Sequence, residues 1–572
     1  MATNFEFIIV GGGAAGAVIA SQLANTARAP SVLLVEAGSD PRASDPQLRA
    51  PADRTLWSLS NQKLLDHGHV SIPQKELLER RLPYRRGRAL GGSTVTNYMA
   101  YLYGTMADYD AWAELVDDPV WRWEHVQEVF KSLETYLVEL PAGMEAYVNP
   151  SRRDHGDSGP IKISFPRMWE KEGKKLLEAG TEIGVPICLD VNSGNPMGIS
   201  LKVSTHDHAE RTTSASAFLA SPPANLHIWT DCPVSQLQLN GRRVVGVQCV
   251  DGRQATATKE VIICGGSIDS PKILLLSGIG PVGELSDLGI EVVQDLPGVG
   301  EGLQEHPGVP MMARMTGSFS DRWAFEKSPQ KQREAAEQWT RDKTGPLSDG
   351  HSNMAFLFMK IPELQTTTEF QGLDDKTKQF LQQPCVPHYE MTAGGPNFFP
   401  DMDFGDDSYL AALAVGMNCQ SRGKVSLASA DPRDIPNLDF NFYDHPYDMR
   451  MMVEGMRKTL EFFNSKTLSP YLKGPVLMPE SRSEEDIVDY IRKQTQAALH
   501  ATGTVRMGPR SDKMSCVDSS FRVYGVEGLR VADMSVCPLL PNSHTQATAY
   551  LIGAVAAAKL VAEYRLQSND KI

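Results

Sequence analysis

The sequence predicts an α/β protein whose doubly wound, Rossmann-like nucleotide-binding domain is assembled from dispersed segments. Two observations carry this prediction. The chain opens with a short apolar strand, a glycine loop, a helix and a second apolar strand, which is how a parallel α/β sheet begins. Further strand-like segments follow much later, at 242–250, 259–267 and 528–536. At roughly 150 residues per domain, the 572 residues leave room for two to four domains.

The first element is a strand that runs into a glycine loop. Residues 7–10 are apolar, as in a strand buried on both faces. Gly11, Gly13 and Gly16 follow as G-x-G-x-x-G at the start of a helical pattern. A second apolar strand then ends at Glu36, twenty residues after Gly16. An acidic residue at that place accepts hydrogen bonds from the ribose hydroxyls of a bound dinucleotide.

The three glycines have separate roles in such a loop. Gly11 permits the tight turn, Gly13 lets the backbone approach a pyrophosphate, and Gly16 lets the helix pack closely on the strand. The amides at the helix N-terminus, which includes Ala14 and Ala15, face the phosphates. The motif therefore predicts a dinucleotide cofactor, and by itself it does not separate FAD from NAD.

The overall charge argues against a nucleic-acid partner. The chain carries 70 acidic and 56 basic residues, for a net charge of -14, whereas proteins that bind nucleic acid through its phosphates usually present a basic face. The basic stretch 80–88 is expected to be a solvated or cofactor-facing loop. The eight cysteines are scattered without a C-x-x-C pair, so neither a metal site nor a disulfide framework is predicted.

The sequence predicts neither a membrane span nor secretion. No run of about 18 apolar residues occurs, and the apolar stretch 549–564 contains charges and predicts a buried amphipathic helix. No cationic segment with a cleavable apolar one precedes the first strand. The N-x-S sequence at 149–151 contains a proline and is not a glycosylation site. We therefore expect an intracellular, cytoplasmic protein, and the sequence indicates no oligomeric state.

A second glycine cluster lies at 84–112. Gly91, Gly92 and Ser93 offer backbone and hydroxyl donors to a second polar part of a ligand. The segment matches the G-R-x-x-G-G-S/T-S/T-x-x-N signature of the glucose–methanol–choline (GMC) flavin oxidoreductases, which this chain resembles. The matching residues are Gly87, Arg88, Gly91, Gly92, Ser93, Thr94 and Asn97, followed by Tyr101, Gly104 and Asp110.

Later segments match further GMC motifs in the same order. Residues 265–281 match the second family signature. Residues 296–307 are close to a third motif, with Gly302 in place of the usual asparagine and Glu305 in place of the usual aspartate. The C-terminal block 528–560 matches as well. The resemblance runs from about residue 5 to residue 564, and it implies the fold and the cofactor of the family.

The resemblance implies FAD and two interleaved domains. The FAD-binding domain is expected to comprise 1–160, 205–310 and 495–572, and an α+β substrate domain on an antiparallel sheet is expected to comprise 161–204 and 311–494. Some members of the family attach FAD to a histidine just after the second Gly-Gly. Residues 93–97 contain no histidine here, which implies non-covalent FAD.

Two segments of the substrate domain carry local predictions. Residues 421–442 predict a strand, a turn and a second short strand, which the resemblance assigns to the substrate-domain sheet. Residues 317–350 are charged and amphipathic, which predicts a helix in their middle and a surface or lid element.

The resemblance also implies a catalytic pair. His500 and His544 lie where the family keeps a histidine followed by a histidine or an asparagine. The His–His form is similar to glucose oxidase and aryl-alcohol oxidase. Alcohol oxidation removes a hydride from carbon and a proton from oxygen, and a neutral imidazole suits the proton. We therefore predict His500 as the general base, and His544 to orient the substrate oxygen or to share the proton.

The other cofactor contacts come from the same resemblance. Asp533 matches a position near the ribityl chain, and Val234 matches one whose backbone meets the adenine. The predicted cofactor residues are Gly11, Gly13, Ala14, Ala15, Gly16, Glu36, Arg88, Gly91, Gly92, Ser93, Asn97, Met99, Val234, Asp533, Met534, Thr545 and Gln546. His306 is expected to be structural. His67 and His69 are expected to be loop residues, because the sequence identifies no further metal ligand near them.

The predicted function is the FAD-dependent oxidation of a primary or secondary alcohol to an aldehyde or ketone. The electron acceptor is dioxygen or a quinone-like molecule, and no residue decides between oxidase and dehydrogenase. The alternative is a non-redox lyase or cyclase of the same family, with structural FAD, in a biosynthetic pathway. A non-catalytic flavoprotein is disfavoured because both histidines are present. Aromatic residues favour an apolar or aromatic alcohol over a sugar: Phe356, Phe358, Phe398, Phe399 and Tyr409.

Overall fold

The computed structural model describes residues 3–42, 46–51, 65–140, 142–167, 169–348, 354–395 and 402–567. Two large sheets dominate this part of the chain, one of them mixed and one antiparallel. The predicted fold class is therefore confirmed.

The strands of the described residues are β1 (Asn4–Val10), β2 (Val32–Val35), β3 (His69–Val70), β4 (Pro83–Tyr84), β5 (Glu134–Leu137), β6 (Ile161–Ser164), β7 (Gly198–Leu201), β8 (Leu226–Trp229), β9 (Val234–Asn240), β10 (Arg243–Cys249), β11 (Gln254–Ile263), β12 (Ile279–Gly280), β13 (Gln294–Asp295), β14 (Glu301–Leu303), β15 (Pro307–Met315), β16 (Ala355–Met359), β17 (Tyr389–Ala393), β18 (Ser408–Gly416), β19 (Gly423–Ser426), β20 (Asn437–Asp439), β21 (Leu472–Leu477), β22 (Gln496–Ala497) and β23 (Leu529–Val531).

The α-helices of the described residues are α1 (Ala14–Ala24), α2 (Met106–Val116), α3 (Trp123–Leu133), α4 (Gly173–Glu182), α5 (Ser214–Phe218), α6 (Gly266–Leu276), α7 (Val282–Asp287), α8 (Arg322–Glu326), α9 (Pro329–Asp342), α10 (Thr368–Gln371), α11 (Asp375–Gln382), α12 (Pro446–Phe463), α13 (Glu484–Gln494) and α14 (Gln546–Glu563). None of these described helices combines the length and the apolar character needed to cross a bilayer.

The first large sheet carries the nucleotide-binding motif. Its order is β8-β2-β1-β11-β10-β9, and β23 pairs with the end of β11. The strands β8, β2, β1, β11 and β23 are parallel, whereas β10 and β9 extend the sheet antiparallel. All four residues of β2 are apolar and buried, as expected for a strand covered on both faces.

Helix α1 packs on β1 and β2, and α14 packs on α1. The two helices approach closely because Gly553 lies at their crossing, where a Cβ would be 2.6 Å from the carbonyl oxygen of Ala15. Helix α14 is the buried helix predicted at 549–564, and it begins three residues earlier. Its buried face holds the start of α1, and with it the glycine loop, against the sheet.

The second large sheet is antiparallel, in the order β21-β15-β18-β17-β16-β7, with β22 paired to the start of β15. Helix α12 packs against β17 and β18. The Tyr389 hydroxyl and the Thr459 hydroxyl lie 2.8 Å apart across this contact. The sheet thus has a helix on one side. Other residues of the sheet form a wall of the site described below.

The structure agrees with one local prediction and differs from another. Residues 317–350 contain α8 and α9, as predicted. Residues 421–442 form the predicted strands β19 and β20, but these pair with β14 in a separate three-stranded sheet. Their assignment to the large antiparallel sheet is therefore wrong, because β14 provides the edge that β19 pairs with.

The expectation that no disulfide forms is wrong for one pair. Cys232 and Cys249 are joined by a disulfide, with their Cα atoms 5.8 Å apart. The antiparallel pairing of β9 and β10 places Cys249 opposite Val234, which brings Cys232 alongside. Disulfides are rare in cytosolic proteins, so the cysteines no longer support an intracellular location.

Candidate active site

The carboxyl ends of the parallel strands meet at one edge of the first sheet, where α/β proteins bind ligands. Gly11 follows β1 directly, Glu36 follows β2, and Asp533 lies two residues after β23. A cavity of about 910 Å³ opens at this edge and extends to the antiparallel sheet. Segments that are far apart in sequence therefore share one binding space.

Most of the predicted cofactor residues line this cavity. They are Gly11, Gly13, Ala14, Ala15, Glu36, Arg88, Gly92, Ser93, Asn97, Met99, Val234, Asp533, Met534, Thr545 and Gln546. Gly16 and Gly91 are not among the lining residues. A Cβ on Gly16 would overlap the carbonyl oxygen of Gly11, so Gly16 serves the packing of α1. The amide of Gly91 donates to the carbonyl oxygen of Gly12 at 2.9 Å and ties the two glycine loops together.

The two glycine loops meet in the middle of the cavity. A Cβ on Gly92, whose φ is +53°, would lie 2.7 Å from the Cα of Gly13. A Cβ on Gly13 would have only the Cα of Gly92 near it, at 3.9 Å. The backbone of Gly13 thus borders open cavity, as a glycine that contacts a pyrophosphate must.

Glu36 is held firmly at the end of β2. Its carboxylate accepts hydrogen bonds from the amides of Gly12 at 2.8 Å and Gly38 at 2.9 Å. Burial raises the pKa of Glu36 to about 7, although both hydrogen bonds oppose this shift. Each carboxylate oxygen keeps a further lone pair, which a ribose hydroxyl can use.

Asp533 connects β23 to the N-terminus of α6. Its Oδ2 accepts from the amide of Gly266 at 2.9 Å and from the hydroxyl of Ser270 at 2.5 Å. Its Oδ1 accepts from the amide of Ser535 at 2.7 Å. Burial raises the pKa of Asp533 above its ordinary value. The carboxyl group is therefore fixed in place before any ligand binds.

Two residues beside the cavity have a left-handed backbone. Met99 has φ +64° and Leu499 has φ +70°, a conformation that costs energy for residues other than glycine. The side chain of Asn97 supports the first of them, because its Oδ1 accepts from the amide of Met99 at 3.1 Å and its Nδ2 donates to Gln546 Oε1. Backbone strain of this kind is typical of residues at functional sites.

The histidines His500 and His544 lie side by side on the wall of the same cavity. Their ring centroids are 4.7 Å apart and their planes are inclined by 64°. His500 follows β22, and His544 lies just before α14. Burial lowers the pKa of His500 well below its ordinary value, and the nearby His544, His306 and Arg86 lower it further. The ring is therefore neutral, which is the form that accepts a proton.

Sequence reasoning did not identify Glu390, which binds one of these histidines. His544 Nε2 and Glu390 Oε1 lie 2.7 Å apart, and the Glu390 side chain is fully buried. Glu390 lies in β17, whose five residues are all buried. A carboxylate in a strand of otherwise uncharged residues is unusual, and this signal could have marked Glu390, although not its contact with His544.

His306, which was expected to be structural, contacts His500. Its Nδ1 lies 3.0 Å from Nδ1 of His500, and burial lowers the pKa of His306 to about 3. The adjacent Glu305 accepts from the backbone amide of His500 at 2.8 Å and from the Tyr84 hydroxyl at 2.5 Å. Burial raises the pKa of Glu305 to about 7. Glu305 and His306 thus hold His500 in place, through its backbone amide and its ring.

The antiparallel sheet adds an apolar wall near the histidines. This wall includes Met354, Phe356, Ala411, Leu413 and Val415. Phe356 packs on the His544 ring with centroids 5.1 Å apart.

Two other aromatic residues named from the sequence, Phe358 and Tyr409, do not add to this wall. Tyr409 packs instead with Trp323 and Phe404, and Phe358 is buried in β16 away from the cavity lining. Phe398 and Phe399 lie outside the described residues.

The basic stretch 80–88 faces the cavity. Its arginines at the lining are Arg80, Arg81, Arg85, Arg86 and Arg88. This agrees with the expectation of a cofactor-facing loop, and a pyrophosphate is an anion that such a loop attracts.

Comparison with known proteins identifies the family. The family models described as GMC oxidoreductase match residues 5–308 and 419–553. The chain belongs to the GMC oxidoreductase family. Its members are FAD-dependent oxidoreductases that act on CH–OH groups.

Several GMC oxidoreductases match along nearly the whole chain. Pyranose dehydrogenase of Agaricus campestris is 30% identical and covers 98% of this chain and 94% of the relative. Oxygen-dependent choline dehydrogenase of Brucella anthropi is 31% identical, and the alignment covers 99% of this chain and 97% of the relative. Patulin synthase of Penicillium expansum is 32% identical, and the alignment covers 97% of this chain and 91% of the relative.

Solved GMC structures superpose closely. A formate oxidase of Aspergillus oryzae has a TM-score of 0.88 at 26% identity and covers 99% of both chains. A fungal aryl-alcohol oxidase has a TM-score of 0.85 at 25% identity and covers 99% of this chain and 100% of that one.

The cavity fits FAD, the cofactor of GMC oxidoreductases. It is continuous from Glu36 and Val234, past the two glycine loops, to the histidine pair. The open backbone at Gly13 lies between these ends, where the pyrophosphate would lie. The predicted cofactor FAD is therefore confirmed.

Proposed function

We propose that this GMC oxidoreductase oxidises a primary or secondary alcohol to an aldehyde or ketone, with His500 as the general base. The observation that carries the proposal is the pair of imidazoles 4.7 Å apart at the end of the FAD cavity. His500 is held neutral there by burial. The alternative of a lyase or cyclase with structural FAD is not favoured, because several relatives are named as dehydrogenases.

The bound FAD supplies the hydride acceptor. His500 supplies the proton acceptor. Its Nδ1 is engaged by His306, so Nε2 is the ring nitrogen that remains for the hydroxyl proton of the substrate. Proton transfer to a positioned base contributes about 10²–10⁴-fold to the rate.

In His544 the other ring nitrogen is engaged. Its Nε2 is paired with the Glu390 carboxylate, which can only accept a hydrogen bond when ionised. Nε2 therefore carries the proton in the neutral ring, and Nδ1 is left to face the substrate oxygen. The contact with the buried Glu390 fixes the ring, so we propose that His544 orients the substrate oxygen or shares the proton with His500.

We propose that FAD is bound non-covalently. Residues 93–97, which follow the second Gly-Gly, contain no histidine. The serine there is engaged in the loop itself, since Ser93 Oγ accepts from the amide of Gly87 at 3.2 Å. Acid precipitation is expected to release all of the flavin into the supernatant, whereas a covalent flavin would stay with the precipitate.

The substrate is proposed to be an apolar or aromatic alcohol. The wall beside His544 is mostly apolar, with methionine, phenylalanine and aliphatic side chains next to Thr392, and Phe356 packs directly on His544. A sugar would leave many hydroxyl groups without partners against such a wall.

The test is an anaerobic absorption spectrum of the purified protein with aryl, aliphatic and sugar alcohols. We expect an aryl or apolar alcohol to bleach the oxidised flavin band. Admission of air then distinguishes dioxygen, which restores the band, from a quinone-like acceptor, which must be added. If no alcohol bleaches the flavin, the redox proposal is wrong and the lyase or cyclase alternative replaces it.

A further inference from the structure

Apart from the catalytic pair, three side chains of the types that can ligate metals lie close together. They are His67, His69 and Asp269, whose nearest ligand atoms all lie within 4.8 Å of one another. His69 begins β3, His67 precedes it by two residues, and Asp269 lies in the first turn of α6. The fold brings Asp269 to the two histidines from a distant part of the sequence.

The loop around His67 and His69 sets both rings on one side. Gly68 has φ +75°, and Asp66 Oδ1 accepts from the amides of Gly68 at 3.2 Å and Arg86 at 3.0 Å. The two imidazoles are consequently parallel, with centroids 5.3 Å apart and planes inclined by 4°. Both rings point toward the carboxylate of Asp269.

The His69 ring makes no close hydrogen bond within the described part of the chain. Its side chain is 3% exposed, and neither Nδ1 nor Nε2 has a hydrogen-bond partner among the described residues. Buried polar atoms are nearly always satisfied, and the polar contact of this ring among the described residues is the Asp269 carboxylate, 3.4 Å from Nε2, so the ring has room for a further ligand.

The distances in the group do not fit hydrogen bonds. Asp269 Oδ2 lies 3.4 Å from His69 Nε2 and 3.8 Å from His67 Nδ1, whereas N–H···O bonds measure about 2.7–3.2 Å. Tetrahedral zinc with bonds of about 2.0–2.1 Å holds its ligand atoms about 3.3 Å apart. The first distance matches this separation, and the second needs a shift of a few tenths of an ångström.

We propose that His67, His69 and Asp269 bind a first-row divalent cation, and that zinc suits this ligand set. Two imidazoles and one carboxylate form a three-ligand set of the kind that zinc uses when one position stays open. All three residues line the cavity, so the fourth position faces that space. The site is independent of the alcohol substrate and of the proposed function.

Positive charges near the three residues limit their affinity for a cation. Lys272 and Arg88 interact electrostatically with Asp269 and His67 respectively. The Lys272 ammonium is itself directed to the carbonyl oxygens of Pro432 and Asp434, each at 2.8 Å. We therefore expect zinc to bind more weakly than in a closed structural site of four protein ligands.

The test is to treat the holoenzyme with a chelator, desalt it and titrate it with zinc chloride. Calorimetry measures the binding, and metal analysis gives the number of zinc ions per flavin. We expect one zinc per flavin. His69→Asn and Asp269→Asn are expected to lower the affinity at least tenfold. The matched control is His125→Asn, because His125 is an exposed imidazole 4.0 Å from a carboxylate of Glu124; it should bind zinc as the wild type does.

A second control addresses the other histidines of the cavity. His544→Asn should also leave zinc binding unchanged, since the catalytic pair lies outside the proposed site. The proposal is overturned if no zinc binds, if zinc binds equally to the His69 and Asp269 variants, or if zinc binds only after flavin is lost. If those two variants do not retain flavin, cobalt is added to wild-type holoenzyme; a lack of tetrahedral cobalt absorption beyond the flavin bands overturns the proposal.

Discussion

The Nδ1 atoms of His306 and His500 lie 3.0 Å apart in the interior of the protein. One of the two rings must donate and the other must accept across this contact. The proposed base uses Nε2 and needs its proton on Nδ1, so the proposal requires His500 to donate and His306 to accept. The low pKa of His306, about 3 because of burial, keeps its ring neutral and able to accept. His306 is thus suited to select the tautomer of His500 that the proposed chemistry requires.

Replacement of His306 tests this arrangement. His306→Phe keeps a ring but removes the acceptor, and flavin reduction by substrate is expected to slow about tenfold, the worth of one hydrogen bond. His306→Asn offers an amide oxygen near the position of Nδ1 and should restore part of the rate. Anaerobic stopped-flow absorbance measures both. Equal rates in the two variants would show that the nitrogen contact has no role in positioning His500.

The pH dependence of flavin reduction tests His500. Burial and the neighbouring His544, His306 and Arg86 hold the pKa of His500 well below 6.5, and the base works when it is unprotonated, above its pKa. The rate constant should therefore be constant around neutrality and fall only well below pH 6.5. His500→Ala should lower the plateau by about 10²–10⁴-fold while flavin stays bound. An acid limb at or above pH 6.5, or reduction at the wild-type rate in His500→Ala, would contradict the assignment.

Glu390→Gln removes the charge that faces His544. A hydrogen bond to a charged group contributes about 1.5–3 kcal/mol, so flavin reduction is expected to slow about tenfold to a hundredfold. Glu326→Gln is the matched control, because Glu326 accepts from the Tyr409 hydroxyl at 2.8 Å away from the catalytic pair. Similar losses in both variants would indicate a general effect on the substrate domain.

Gly13 and Gly16 should respond differently to a side chain. Gly13→Leu projects into open cavity, so the protein should fold but fail to retain FAD. A Cβ on Gly16 would overlap the carbonyl oxygen of Gly11, so Gly16→Ala should lower the melting temperature. Flavin absorbance per protein and thermal unfolding distinguish the two effects. Full flavin content in folded Gly13→Leu would refute the pyrophosphate assignment.

His155 links stability to pH. It lies between Glu134 at 2.8 Å and Asp190 at 3.1 Å. Burial lowers the pKa of His155, but the two carboxylates outweigh burial and raise it to about 9. A raised pKa stabilises the fold fully below the unfolded value of 6.5, and this contribution is lost as pH rises through 9.

The corresponding variant is His155→Gln. It should lower the free energy of unfolding by about 3 kcal/mol at pH 6, because it leaves two carboxylates without their cation. The difference from the wild type should shrink above pH 9. Denaturant unfolding at several pH values measures it, and a difference that does not vary with pH would show that His155 is not charged in the folded protein.

Several parts of the site were predictable because they depend on local backbone geometry. The turn at Gly11, the open backbone at Gly13 and the acidic end of β2 at Glu36 each need a residue type at a fixed spacing. That spacing is visible in the chain itself. The fold class followed from the same local patterns, together with the resemblance to the GMC family.

Other parts could not be predicted because they depend on contacts between distant segments. Asp269 reaches His69 from α6, Glu390 reaches His544 from the antiparallel sheet, and Cys232 meets Cys249 only through the register of β9 and β10. No sequence spacing encodes such meetings. Each is decided by how the sheets and helices pack.

The sequence by itself determined the FAD-binding family and the glycine loops, and it placed His500 and His544 in family motifs, because these features are contiguous in the chain. The tertiary structure alone decided which nitrogen of each histidine is engaged. It did so by placing His306 against His500 and Glu390 against His544. The physical reason is that a motif constrains backbone shape locally, whereas a ring's protonation and orientation depend on the groups that packing brings to it.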